Sequence, residues 1–182
     1  MSRYQSNKED DTTSSSASIH PDLLAAQKLA YNPAGLICQK LTEEAESQDY
    51  GACTFEINNR LVKFRTAKIT PTKIGQFVTL WKRIGKGPIL PYDMADPVDL
   101  FVVSVRSSKG FGQFVFPKVV LGQKGFISHG GTGGKRAMRV YPPWDITDSR
   151  QAQNTQAWQL IYFFEIDSPA LTDIAKIQRL FQ

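Results

Sequence analysis

The stretch YGACTFEINNRLVKFRTAKITPTKIGQFVTLWKR, residues 50–83, decides which fold the rest of the chain must complete. Residues 53–57 alternate apolar and polar side chains, which is typical of a half-buried strand. Residues 58–59 are both asparagine and favour a tight turn, because asparagine tolerates left-handed backbone. Residues 61–69 are therefore predicted to return as the second strand of an antiparallel hairpin.

A helix is predicted directly after this hairpin. Thr70 is a suitable N-cap residue, and Pro71 follows at the first helical position, where its missing N–H costs nothing. The next apolar side chains recur at the helical spacing i, i+3, i+4 and i+7, which predicts a stripe packed against the hairpin. These side chains are Ile74, Phe77, Val78 and Trp81.

Length and composition indicate one folded domain with a terminal tail. Residues 1–20 include eight Ser or Thr and few large apolar groups, so they are predicted to be a disordered tail, and residues 21–182 a single domain. No apolar run approaches the ~20 residues of a membrane span, and no secretory signal opens the chain, so no membrane partner is expected. Cys38 and Cys53 are too few for a disulfide scaffold or a metal site and are expected to be buried thiols in a cytoplasmic protein.

The remaining patterns alternate between helix and strand. Helices are predicted at residues 21–30, 36–47, 149–157 and from a cap at 168–169 to 181, with a helical turn at 117–123. Strands are predicted at 99–106, 110–116, 126–127 and 135–141, and residues 160–166 fit either a strand or the end of the preceding helix. Residues 84–97 are rich in Gly and Pro and predict a long loop. The expected fold class is α/β, a mixed sheet flanked by helices.

Positive charge is concentrated in the middle of the chain. The net charge is +5, but residues 51–140 alone hold fifteen Lys or Arg against four Asp or Glu, a net of +11. Such an asymmetry indicates a surface that faces a polyanion. We therefore predict a basic face that contacts nucleic-acid phosphates. Its expected members are Lys63, Arg65, Lys68, Lys73, Lys82, Arg83, Lys118, Lys135, Arg136 and Arg139.

A glycine-rich segment, HGGTGGKR at residues 129–136, is similar to a phosphate-binding loop. His129 stands where a Walker A loop needs Gly, however, and Arg136 where it needs Ser or Thr. We predict a flexible loop whose backbone N–H groups remain able to face a phosphate. Aromatic side chains near the glycine-rich segments are candidates either for stacking on unpaired bases or for core packing. They are Phe111, Tyr141 and Trp144.

Four blocks of the sequence resemble the MepB family, small bacterial proteins named for a gene beside a multidrug-efflux gene. The blocks occur in the family's order and span about residues 22–166. They read FRTAKITPTKIGQFVTLWKR from residue 64, FGQFVFPKVVL from 111, KRAMRVYPPWD from 135 and QAQNTQAWQLIYFFEI from 151. The resemblance implies a core related to the restriction-endonuclease-like α/β fold, and it transfers no catalytic residue.

Nucleases of that architecture bind a divalent metal through carboxylates beside a Lys, because Mg²⁺ prefers hard oxygen ligands. Here Lys68 is preceded two positions earlier by Thr66, which is a poor substitute for a carboxylate. Glu56 and Asp99 are the acids that could complete a site with Lys68. A metal-dependent nuclease is thus one alternative, with Mg²⁺ as its cofactor, and no cofactor is expected otherwise.

The alternatives to a metal site are simpler. Glu56 is expected to pair with Lys63 or Arg65 across the hairpin. The leading interpretation is a nucleic-acid-binding protein with no strong sequence preference and no catalysis. A protein-interaction or anion-binding module is the third alternative, and the sequence sets no oligomeric state.

Overall fold

The structure is a computed structural model that describes residues 19–166 and 173–182. The expected tail at residues 1–20 lies outside these residues except for its last two positions, and so does the expected cap at 168–169. His20 caps the first helix, since its Nδ1 accepts the backbone N–H of Asp22 at 3.1 Å.

A six-stranded mixed sheet forms the centre of the domain and confirms the predicted α/β class. Its strand order is β1-β2-β3-β8-β9-β11; β3 and β8 pair in parallel, and the other neighbours pair antiparallel. The strands are β1 (Gln39–Glu43), β2 (Cys53–Ile57), β3 (Arg60–Thr66), β8 (Leu100–Ser107), β9 (Gly110–Pro117) and β11 (Phe163–Glu165).

Two smaller sheets lie in the middle of the chain. One has the order β10-β5-β4, and the other is the two-stranded ribbon β6-β7. These strands are β4 (Lys68–Thr70), β5 (Lys73–Thr79), β6 (Trp81–Arg83), β7 (Ile89–Pro91) and β10 (Ala137–Val140). The helices are α1 (Pro21–Ala26), which continues as a π-helical turn to Tyr31, α2 (Lys118–Gln123), α3 (Arg150–Leu160) and α4 (Ile174–Leu180).

Each face of the central sheet has its own core. On one face, α1, its π-helical turn and α4 cover an apolar cluster in which Tyr31 packs edge-on against Phe181. On the other face, the three-stranded sheet contributes Val78, Met138 and Val140 to a cluster that includes the buried aromatic residues of β8 and β9. The three-stranded sheet therefore has a buried inner face and an outer face turned away from the core.

The predicted hairpin is confirmed, but its second strand ends at Thr66 and not at residue 69, because Lys68–Thr70 forms β4 of the three-stranded sheet. Residues Cys53–Ile57 and Arg60–Thr66 pair antiparallel, and Asn58 and Asn59 both have positive φ, at 50° and 61°. Left-handed backbone at both central residues is the geometry that a two-residue turn needs to match the twist of its strands. The two strands and the helical turn expected between residues 99 and 123 and the helix from 149 are also present, and α3 ends before the short strand β11.

The prediction of a helix after Thr70 is wrong. Pro71 and Thr72 form a two-residue turn between β4 and β5, and the segment continues as strand to Thr79. Gly75 has φ +82°, which a right-handed helix cannot contain, and a Cβ there would lie 2.7 Å from the Tyr141 ring. The apolar residues of this segment are spaced in a way that fits both a helix and a strand. The pairing of β5 with β10 makes the segment a strand.

Two further predictions need correction. Residues 36–47 are not a helix, because Gln39–Glu43 pairs with β2 as an edge strand containing a bulge at Lys40, whose φ is 51°. Residues 126–127 are not a strand, although Ile127 is buried. The loop predicted at 84–97 contains β7, because its residues Ile89–Pro91 pair with β6.

None of the helices within residues 19–166 and 173–182 combines the length and the apolarity that a membrane span requires.

Candidate nucleic-acid interface

The outer face of the three-stranded sheet brings basic and aromatic side chains together. Lys68 and Arg139 both pair with Phe77, from opposite sides, so these three residues form one row across β4, β5 and β10. Because strand side chains alternate, residues in one row project to the same side of the sheet. Gln76 and Val78, on either side of Phe77, are buried on the inner face.

Three more aromatic residues surround this row. The Tyr50 ring lies edge-on to Phe77, with the centroids 6.5 Å apart, and the Lys68 ammonium lies 4.6 Å from the centre of the Tyr50 ring. Trp81 lines a hollow of about 390 Å³ together with Tyr50. We call this surface the aromatic–basic face. It consists of Tyr50, Lys68, Lys73, Phe77, Trp81, Arg139 and Tyr141.

Glycine at position 75 shapes one end of the aromatic–basic face. Gly75 lies beside Tyr141 in the register of β5 and β10, and the absence of a Cβ allows the Tyr141 ring to rest on the β5 backbone. Any larger residue would push the ring away and would also strain the backbone at φ +82°. The face is consequently flat at this end.

Arg139 is held in place by the sheet itself. Its Nη1 donates to the carbonyl oxygen of Gly75 at 2.8 Å, and its Nη2 donates to Thr70 Oγ1 at 3.1 Å. These bonds tie the β4–β5 hairpin to β10 and fix the guanidinium beside Phe77. Lys68 and Lys73, by contrast, are exposed and form no ion pair with any of the described residues.

Four other predicted phosphate-binding residues lie around an adjoining cleft, which Trp81 also lines, and are paired with acids. Glu44 accepts from Arg65 at 2.6 Å and lies 3.0 Å from the Lys63 ammonium. At the rim, Arg83 pairs with Glu46 at 2.7 Å, and Lys82 pairs with Asp96. We call this group the ion-pair cleft; it consists of Glu44, Glu46, Lys63, Arg65, Lys82, Arg83 and Asp96.

Each of these four cations already has a carboxylate partner within the fold. Arg65 is the extreme case, because its side chain is only 1% exposed and it donates inward to Phe64 O, Glu44 and the Tyr92 hydroxyl. Lys118 is likewise used within the fold, since its ammonium donates to the carbonyl oxygens of Met94 and Asp96 at 2.9 and 2.6 Å.

Lys135 and Arg136 precede β10 and are exposed. The Lys135 ammonium lies 4.8 Å from the centre of the Phe126 ring, and the Arg136 carbonyl accepts the N–H of Leu80. They stand at the far end of the three-stranded sheet from Lys73 and extend its positive surface.

The glycine-rich segment is fixed by an acid. Asp93 accepts hydrogen bonds from the N–H of Gly131 at 2.9 Å, the N–H of Ala95 at 3.0 Å and the Ser128 hydroxyl at 2.7 Å. These bonds hold the pKa of Asp93 well below its usual range. The Gly131 N–H, one of the backbone groups expected to face a phosphate, therefore already donates to the Asp93 carboxylate.

Replacing Asp93 by Ala is expected to raise the hydrogen-exchange rate of the Gly131 amide at least about tenfold. A hydrogen bond to a charged group contributes about 1.5–3 kcal/mol, and 1.4 kcal/mol corresponds to a factor of ten. Exchange measured by NMR at neutral pH checks this, with the exposed Asp148→Ala as the control. An unchanged Gly131 rate would show that Asp93 does not hold the loop.

The three candidates for a metal-dependent nuclease are not assembled. Asp99 Oδ2 accepts the N–H of Leu61 at 2.8 Å, and Glu56 pairs with Leu61 in the sheet register, so both acids lie near the start of β3. Lys68 follows the other end of β3. At ~3.3 Å per residue, the distance along the strand from Leu61 to that end is about 17 Å, and Lys68 lies beyond it. Glu56 pairs with Lys40 at 3.0 Å, whereas Lys63 and Arg65, its expected partners, pair with Glu44.

Within residues 19–166 and 173–182, no three His, Cys, Asp or Glu side chains form a group that could bind a metal ion. Glu56, Asp99 and Lys68 are therefore too far apart to form a magnesium site of the nuclease type together. Cys38 and Cys53 are free thiols, half-buried and buried, and burial raises the pKa of Cys38 to about 11 and that of Cys53 to about 12. Such thiols stay protonated at neutral pH, as structural cysteines do.

The stacking candidates divide between core and surface. Phe111 is 1% exposed, with the Arg106 guanidinium 3.6 Å from its ring, and Trp144 packs on Gly110 and Phe163. Tyr141 is on the aromatic–basic face. The sequence patterns did not identify Tyr50 and assigned Phe77 and Trp81 to the core. If residues 73–81 are treated as a strand, the odd-numbered positions place Lys73, Phe77 and Trp81 on one side.

Comparison with known proteins agrees with this fold. A family model described as MepB-like matches residues 44–165. A solved crystal structure of MepB is similar at 37% sequence identity and a TM-score of 0.69, covering 72% of this chain and 88% of that one. The comparison with curated proteins gave no significant match. On the family model and this structural neighbour together, the chain belongs to the MepB-like family.

Proposed function

We propose that this protein binds nucleic acid through the aromatic–basic face, by contacts to the phosphate backbone and without catalysis. The observation that carries the proposal is the row of Lys68, Phe77 and Arg139 across the three-stranded sheet. Cations fixed beside an aromatic side chain neutralise phosphates and release counterions, which gives affinity without sequence readout.

Charge pairing supports the choice of this face over the ion-pair cleft. The cleft's four cations each contact a carboxylate, so a phosphate there would have to displace an acid. Lys68, Lys73, Lys135 and Arg136 carry no such partner among the described residues and remain able to meet an external anion. The phosphate-binding set accordingly narrows to these four residues and Arg139.

Reversing two charges on the face tests the proposal. In Lys68→Glu/Lys73→Glu, Kd for a labelled 20-nucleotide strand is expected to rise at least about tenfold, and the slope of log K against log salt to fall by roughly two, because each phosphate contact contributes about one. Fluorescence anisotropy at 50 and 200 mM salt, with DNA and with RNA, measures both quantities.

The matched control is Lys28→Glu, an exposed lysine of the π-helical turn on the opposite side of the central sheet. It makes the same charge change per residue and should leave Kd nearly unchanged. Absence of binding by the unmodified protein at 50 mM salt would refute the proposal. Cleavage of the strand on adding Mg²⁺ would instead favour the nuclease alternative and a relation to the restriction-endonuclease-like fold. If the protein binds neither nucleic acid nor metal, a protein partner would be favoured.

A further inference from the structure

We infer that the aromatic–basic face selects unpaired nucleotides, with bases stacking on Tyr50 and Trp81, so that the preferred ligand is single-stranded. The inference rests on the proposed function and adds the ligand class to it. The two rings line one hollow together with Thr79, and both are half-buried.

Each stacking ring has a cation beside it. The Lys68 ammonium lies 4.6 Å from the centre of the Tyr50 ring, and the Arg83 guanidinium lies 5.6 Å from the centre of the Trp81 ring. A base on the Tyr50 ring would place its own phosphate near Lys68, whereas Arg83 is already paired with Glu46. Aromatic platforms alternating with cations are the arrangement by which proteins bind single strands without sequence preference.

The neighbouring aromatic residue holds Tyr50 in place. Phe77 packs against the edge of Tyr50 from the middle strand of the sheet, at 6.5 Å between centroids. A ring supported at its edge by a strand residue cannot rotate freely and keeps the same face available for a base. Burial and the nearby Asp49 carboxylate raise the pKa of Tyr50, so its hydroxyl stays neutral beside a polyanion.

Duplex nucleic acid does not fit this surface equally well. Its bases are stacked on one another and expose only their edges in the grooves, so the two rings cannot stack on the face of a paired base. A single strand offers the faces of its bases, each worth about 1–3 kcal/mol when stacked on an aromatic ring. Stacking of one base therefore predicts a preference for single strands of at least about fivefold.

An abasic strand separates stacking from phosphate binding. Three ligands of equal length are compared by anisotropy: a 12-nucleotide single strand, an abasic strand with the same phosphates, and a duplex. We expect Kd for the abasic strand to be at least about tenfold weaker than for the normal strand. Tyr50→Leu should remove part of the difference between the normal and abasic strands, since Trp81 still stacks, and should leave abasic binding unchanged.

The control variant is Tyr162→Leu, which removes a half-buried tyrosine that packs on Phe116 and does not line the hollow of Tyr50 and Trp81. Binding should quench tryptophan fluorescence, and Trp81→Phe should abolish that quenching. Equal affinity for normal and abasic strands would overturn the inference and leave the proposed function intact. Failure to bind any of the three ligands would overturn the proposed function, and the inference with it.

Discussion

Replacing Glu44 by Ala is expected to lower the free energy of unfolding by about 3 kcal/mol, since breaking a buried ion pair by removing one partner typically costs about 3–5 kcal/mol. The Glu44 carboxylate accepts from Arg65 at 2.6 Å and from the Thr54 hydroxyl at 2.8 Å. Without it the Arg65 guanidinium, 1% exposed, keeps only Phe64 O and the Tyr92 hydroxyl. The low end of the range applies because the Glu44 side chain is 17% exposed.

Urea unfolding at pH 7 measures this change. The matched control is Glu46→Ala, which removes the same group from the same cleft but from an ion pair at the rim. Glu46 and Arg83 are 46% and 33% exposed, so their pair should contribute less than about 1 kcal/mol. Equal losses in the two variants would contradict the assignment of Arg65 as a buried charge that depends on Glu44.

The effect of Glu44 should also depend on pH. Burial raises the pKa of Glu44, but the hydrogen bond and the charge of Arg65, together with Lys63, outweigh burial and lower it overall. A carboxyl group with a lowered pKa in the folded state stabilises the protein above its unfolded pKa of about 4.3 and loses this contribution as the pH falls further. The stability difference between the unmodified protein and Glu44→Gln should accordingly shrink below about pH 4.

The hairpin could be predicted from the sequence, and the segment after it could not. Strand alternation and the Asn58–Asn59 pair are local signals, and they were sufficient for β2 and β3. The segment after Thr70 has apolar residues that fit both a helix and a strand. Pairing of β5 with β10, about sixty residues away in the chain, decides between them, and a single sequence does not show that contact.

The basic region was also only half predictable. The excess of Lys and Arg in residues 51–140 is visible in the composition. Two of the acids that pair with the cations of the ion-pair cleft, Glu44 and Glu46, lie before that region in the chain. Only the fold shows which cations are paired. The aromatic–basic face was missed for the related reason that a helix would have turned Phe77 and Trp81 toward the core.

Replacing Gly112 by Ala is expected to destabilise the domain by about 3 kcal/mol, which is at the upper end for overpacking of a core. Gly112 lies in β9, where it pairs with Glu165 of β11. A Cβ at this position would lie 2.3 Å from Cζ of Phe163 and 2.6 Å from the carbonyl oxygen of Phe164. Rotation of Phe163 relieves the first clash but not the second, so the backbone of β11 must move.

Thermal and urea unfolding measure the loss, with Gly122→Ala as the control. Gly122 lies in α2, and the nearest atom to an added Cβ there is the flexible Met94 Sδ, at 3.0 Å. Alanine is favoured over glycine in a helix by about 1 kcal/mol, so this variant should be neutral or slightly more stable. A Gly112→Ala protein as stable as the control would mean that β11 is not fixed against β9. The Gly112→Ala variant should still bind nucleic acid at temperatures where it is folded. The reason is that no residue of the aromatic–basic face lies in β9 or β11.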